Sequence, residues 1–202
     1  VEAADGQTLE PATRSAINKF VAGCKADGIW TAIKASCILA GARTLSGALV
    51  PLAGTAPTNN NFVSGDYNRK TGLIGDGSTK IITTNRNENS DPQNNIHYGT
   101  YVTAPPSGSN FLLIAGNTHI QLSTGNYIYR NRSSSFQARS GATSITGFVG
   151  MLRDNSTQYT SRQSAANLTA NVTSSAPGGS VITSVTNARL AFYSIGESLD
   201  LA

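Results

Sequence analysis

The chain has 202 residues, 39% of them hydrophobic, enough for one domain with its own core; disorder is excluded, and neither a disulfide framework nor a metal is needed for folding. Only 13% of residues are charged, so Ser, Thr, Asn and Gly carry the solvation, as on the turn-rich exteriors of secreted or virion proteins. The net charge of +4 is dispersed, which argues against nucleic acid as a partner, and no apolar run reaches the ~18 residues that would predict membrane insertion.

The opening Val-Glu-Ala-Ala-Asp has no initiator Met and no basic-then-apolar signal, so a processed product or a piece of a longer chain is expected. The first predicted element is a helix from Thr8 to Lys25. Leu9, Ala12, Ala16, Ile17, Phe20, Val21 and Cys24 recur at helical spacing, Pro11 falls in the first turn, Thr8 or Glu10 can cap, and Gly28 ends the run. This lead-in, residues 1–28, can pack on the following domain or join neighbouring subunits. Cys24 and Cys37, the only cysteines, are expected as two free buried thiols.

From Trp30 the period becomes strand-like, with turn signals recurring about every eight to twelve residues, the spacing of a sandwich or barrel. Strands are expected at Trp30–Leu39, Leu73–Ile74, Lys80–Thr84, Asn95–Thr103, Asn110–Ala115 and His119–Ser123. More are expected at Asn126–Asn131, Ser135–Arg139, Ser144–Leu152, Gln158–Gln163, Ala166–Val172 and Ala188–Ile195. Turns fall at pairs such as Gly116-Asn117 and Thr124-Gly125, and Asp154-Asn155 is read as a primed hairpin turn. Leu49 to Asp66, rich in Gly, Pro and Asn, reads as a long surface connection. Residues 29–202 therefore form one all-β sandwich behind a helical lead-in.

The pattern offers little to catalysis. None of the 11 carboxylates alternates with another along a strand, as a glycosidase pair would; Glu197 and Asp200 come closest, at the chain end. His97 and His119 each sit beside apolar strand residues and read as structural; Asp76 in Gly75-Asp76-Gly77 reads as a turn, and no metal or cofactor is expected. Aromatics suggest a binding alternative. Tyr127 and Tyr129 share a face at period two and are followed by Arg130 and Asn131, a set able to stack on a sugar and bond its hydroxyls; Tyr98, Tyr101 and Tyr159 are further candidates. Packing of these rings into the core is the other reading.

Several motifs together resemble a known family. Lys25-Ala26-Asp27-Gly28-Ile29-Trp30, Thr71-Gly72-Leu73 before Gly75-Asp76-Gly77, and Tyr127 to Arg132 with Phe136 are followed by Gly147-Phe148-Val149-Gly150, Arg153-Asp154-Asn155 and Ala191-Phe192-Tyr193-Ser194-Ile195-Gly196. In that order they resemble the concanavalin A-like, LamG-type jelly rolls of tailed-bacteriophage virion proteins, whether fibre-like or capsid-decorating. The resemblance covers most of the chain and carries no catalytic residue. It implies a non-enzymatic virion component among other virion proteins, homo-oligomeric and trimeric if a fibre, with host-surface glycan as a possible ligand. The alternative is a carbohydrate-binding adhesin outside any virion; a polysaccharide hydrolase or lyase stands behind both.

Overall fold

A computed structural model describes residues 1–123, 125–140 and 146–199. Three α-helices, α1 (Glu2–Asp5), α2 (Pro11–Ala26) and α3 (Leu45–Ala48), accompany sixteen strands. In chain order these are β1 (Ile33–Ile38), β2 (Pro51–Ala53), β3 (Thr58–Asn60), β4 (Tyr67–Asn68), β5 (Gly72–Ile74), β6 (Ile81–Asn87), β7 (Ile96–Ala104) and β8 (Asn110–Ala115). There follow β9 (Thr118–Ser123), β10 (Asn126–Arg130), β11 (Gln137–Arg139), β12 (Gly147–Arg153), β13 (Tyr159–Gln163), β14 (Ala166–Ala170), β15 (Val181–Val185) and β16 (Arg189–Gly196). The expected strand at Ser144 begins, where described, at Gly147; its first residues, the Thr124 turn position and Asp200 lie outside the described residues.

The strands form two antiparallel sheets. One has nine strands, running β14-β13-β12-β7-β16-β1-β2 with β4 and β5 attached through β16; the other has seven, running β11-β10-β9-β8-β15-β6-β3. The chain is thus an all-β sandwich with a short N-terminal helix, as its periodicity predicts. Alternation along the strands makes the core: Ile96, Tyr98, Thr100 and Val102 of β7 face inward to meet Leu112, Ile120, Leu122 and Ile182 from the other sheet.

Three sequence readings need correction. The stretch Leu49 to Asp66 is not a bare connection, because it contains β2 and β3, and Asn60 Nδ2 donates to Ile81 O and Thr83 Oγ1 of β6. No strand is expected at β15, yet it lies between β8 and β6. Third, the β12–β13 hairpin turns through five residues rather than a two-residue primed pair, which would require positive φ that Asn155 does not adopt. Asn155 Oδ1 instead accepts from the N–H groups of Thr157 and Gln158. Gly116, at φ 49, does sit in a two-residue turn between β8 and β9.

One end of the sandwich is closed by two fully buried arginines. Arg153 donates Nε and Nη2 to Asn131 O at 3.0 and 2.9 Å, Nη1 to Asn155 O and Gln158 O, and Nη2 also to Val172 O. Arg132 donates to the carbonyls of Glu88, Asp91 and Pro92, and adopts φ 45, a left-handed conformation that a non-glycine side chain enters at a cost. Removing such a guanidinium strands several buried carbonyls at once. Arg153→Ala should therefore lower the stability to denaturant by about 3 kcal/mol or more, whereas Lys19→Ala on the exposed face of α2 should stay within about 0.5 kcal/mol. Equal midpoints for the two variants would refute this account of the closure.

Candidate functional site

The expected sugar-binding set is not a surface site. Tyr127 and Tyr129 do share a face of β10, but it is the inward face: both are fully buried, with ring centroids 6.2 Å apart. The Tyr129 hydroxyl reaches Arg162 O, Tyr129 O accepts from the Tyr159 hydroxyl at 2.7 Å, and Asn131 is fully buried. Arg130 alone is part-exposed, and its Nε donates to Ser133 O at 2.6 Å. Period two identifies a shared face without saying which side is wet; Tyr129 and Tyr159 suit the dry side because their hydroxyls reach carbonyls, whereas the buried hydroxyls of Tyr127 and Tyr98 have no hydrogen-bond partner among the described residues. Tyr98 and Tyr159 are likewise buried, and Tyr101 is the one candidate aromatic left at the surface, 45% exposed.

A concave, apolar feature lies on the opposite side of the nine-stranded sheet, beneath α2. Pro11 opens that helix at its first position. Gly28 at φ 73 ends it, with Gly28 N–H bonded to Lys25 O and Ile29 N–H to Cys24 O, the paired bonds of a left-handed helix stop. The N-terminal end is tied down by charge. Glu10 receives Arg69 through both oxygens, at 2.9 and 2.6 Å, with Arg43 3.0 Å away, and these contacts lower its carboxyl to about 2. Asp5 accepts from the backbone N–H of Arg43 and of Thr44 and from the Thr44 hydroxyl, next to Gly47, where any Cβ would lie 2.0 Å from its oxygen.

Beyond these anchors the helix stands off the sheet. Cys24 is its only buried residue, and Phe20, 40% exposed, meets Phe192 of β16 edge to face at 5.5 Å. Between helix and sheet runs a groove of about 630 Å³. Ala16, Ile17 and Phe20 form its roof, and Ile38, Tyr101, Phe148 and Phe192 its floor. Arg69 and Lys70 stand at the end near the start of α2, Ile29, Ile33 and Leu199 at the other. The floor is flat for a specific reason: the Phe148 ring lies across Gly99 and Gly150, where an added Cβ would approach it to 2.6 and 2.7 Å. Gly147-Phe148-Val149-Gly150 is visible in the sequence as a motif, but that its ring covers a neighbouring strand's glycine is a fact of register, since Gly150 pairs with Gly99.

Chemically the groove is quiet. His97 lines it yet is bound on both ring nitrogens, to Glu197 O at 2.6 Å and to Ser194 Oγ at 2.8 Å. Burial lowers its pKa to about 4. His119 is likewise lowered to about 4 by burial, with Arg130 adding to the effect, and its ring packs edge to face on Phe111. Five carboxylates are committed elsewhere: Glu2 to Leu9 N–H and Arg14, Asp66 to Lys80, Asp91 to Arg86, Glu197 to Lys34, and Asp76 to three N–H groups and the Thr79 hydroxyl of its own turn. Glu88 differs, fully buried inside the sandwich with neither carboxylate oxygen hydrogen-bonded to a described residue. Cys24 and Cys37 are free and buried, and burial raises the Cys37 thiol to about 12. Among the described residues no three His, Cys, Asp or Glu side chains converge on a metal-sized point, and no helix is long and apolar enough to cross a membrane.

Comparison with family models, with curated proteins and with solved structures finds no match for this chain.

The His97 environment predicts a pH response. Its folded pKa is depressed, so between about 6.5 and 4 the unfolded chain binds a proton that the fold refuses, and stability falls as pH drops through that window. For one fully buried imidazole the loss is on the order of 3 kcal/mol. NMR titration should find the His97 ring neutral down to about pH 4 in the folded protein. A ring that titrates near 6.5 would contradict it.

Proposed function

We propose that the chain is a non-catalytic structural component of a tailed-phage virion, a concanavalin A-like sandwich that seats a neighbouring virion protein along the groove under α2. The observation that carries this reading is the groove itself, about 630 Å³ of almost wholly apolar surface rimmed by the exposed rings of Phe20 and Tyr101. A monomer gains nothing from keeping such a surface wet, and an apolar centre with aromatic anchors is the usual composition of a protein interface. Among the described residues that line the groove, the one imidazole, His97, is bonded on both ring nitrogens with its pKa lowered by burial, and there is no carboxylate, which favours a structural over a hydrolytic role there. The motifs from Trp30 to Gly196 supply the family resemblance, and the low charge fraction suits a virion exterior. The glycan reading loses the rings of Tyr127 and Tyr129, which face the core, and keeps only the exposed Tyr101 and the part-exposed Arg130.

Peptides of this chain should be recovered by mass spectrometry from gradient-purified particles of the phage that encodes it. Introducing Ile17→Asp or Phe20→Asp into that phage should lower its particle content by about tenfold or more, as loss of a buried aromatic or aliphatic anchor does, with the isolated variants still folded. Particles without the protein would overturn the virion reading; unchanged incorporation of both variants would overturn the groove as the docking face.

A further inference from the structure

A second surface is built for association through backbone rather than side chains. β14 stands at the end of the nine-stranded sheet, and Ala166, Asn167, Leu168 and Thr169 are all exposed. It pairs with β13 through a two-residue turn, Gln163 opposite Ala166, with Ser164 at φ 54. In such a hairpin the residues flanking the turn exchange their backbone bonds. Ala166, Leu168 and Ala170 therefore spend theirs on β13, while Asn167 and Thr169 turn their N–H and C=O groups outward along the free edge.

Edge strands are normally blunted by shortness, charge or proline. Among the described residues four of the five end strands follow that rule: β2, β3 and β11 have three residues each and β4 has two, β2 begins with Pro51 and β11 ends with Arg139. β14 has five residues with no proline and no charge of its own, within a sequence that carries no charged residue from Gln163 to Ala188; the charges beside it are those of Arg162, which donates to Asn167 Oδ1, and Arg139, which donates to Ala166 O. Two large apolar side chains are exposed at the same end, Leu168 at 45% and Phe136 at 61%. They are linked through Ser161, which pairs with Leu168 and donates to the side chain of Gln137, next to Phe136.

We propose that two copies of this chain associate edge to edge through β14, each strand running antiparallel to its mate about Leu168. An uncharged strand is complementary to itself in that arrangement. Asn167 and Thr169 of one copy bond the same groups of the other through backbone, the strand itself brings no charge to the seam, and Leu168 and Phe136 of both copies are covered together. The pairing lies on a different part of the molecule from the groove under α2 and stands or falls apart from it.

Sedimentation equilibrium of the whole chain tests it. The wild type should be a concentration-dependent dimer, with hydrogen exchange slowed at the amides of Asn167 and Thr169. Thr169→Pro deletes an outward N–H and leaves the β13 ladder intact, and Leu168→Lys puts a charge at the centre of the seam; each should weaken the dimer by about tenfold or more, with thermal unfolding unchanged at dilutions where the wild type is monomeric. Ile17→Asp, which alters only the groove, should dimerise like the wild type. A wild type that stays monomeric or forms a trimer, edge variants that dimerise normally, or a dimer lost only in Ile17→Asp would each overturn the proposal.

Discussion

Much of this sandwich depends on what two guanidinium groups do away from water. Arg153 lies in β12 of one sheet, and its donors end on Asn131 just beyond β10 of the other, on Val172 beyond β14, and on the turn that follows β12 itself. One side chain thereby satisfies carbonyls of three segments that regular pairing leaves open. Arg132 does the same for Glu88, Asp91 and Pro92, between β6 and β7. A planar group with five fixed donors suits this use, because burying an unpartnered carbonyl costs more than a typical hydrogen bond gains. The Arg153 guanidinium also stacks on the Tyr159 ring, 5.3 Å from its centre, and the Tyr159 hydroxyl donates to Tyr129 O. The tyrosines that resemble a sugar platform in the sequence are thus the inner wall of this closure.

The same closure explains which parts of the fold could be read in advance. Strands with alternating apolar residues, such as β8 and β9, coincide with their expected spans to within one residue, because the inward face alone produces the pattern. β15 is invisible by that criterion. Its inward residues are Ile182 and Ser184, while Val181 is 42% exposed, so its apolar side chains fall largely on the wrong face; its place comes from the backbone groups of β6 and β8 on either side. β2, β3 and β4 are too short to show a period and owe their conformation to neighbours remote in sequence. The groove was legible only in pieces. Helical spacing exposes the stripe of Ile17 and Phe20, and the glycines around Phe148 are evident, but neither says that the stripe fails to close on the sheet.

Why it fails to close follows from how α2 is held. Its N-terminal end is fixed by Glu10, Arg69 and Arg43 and, through α1, by Asp5; its C-terminal end is fixed by the turn at Gly28 and by Trp30, over whose ring the Lys25 ammonium lies at 5.5 Å. Both attachments act at the ends. Along the middle the helix presents Ala16 and Ile17 over a sheet face already levelled by Phe148 lying on Gly99 and Gly150. A small residue on one side and a flattened ring on the other leave a gap that the described side chains do not fill.

That arrangement separates holding the helix from burying it. Tethers of charge and backbone geometry keep α2 in place with little of the apolar contact that usually stabilises an amphipathic helix on a sheet, Phe20 on Phe192 and the buried Cys24 aside, so much of its apolar surface stays available. The tethers are part-exposed ion pairs, individually weak and screened by salt. The tethers and the guanidinium closure are also separate in space, since the closure packs inside the sandwich while the groove lies on the outer face of the nine-stranded sheet; a change at one leaves the contacts of the other in place.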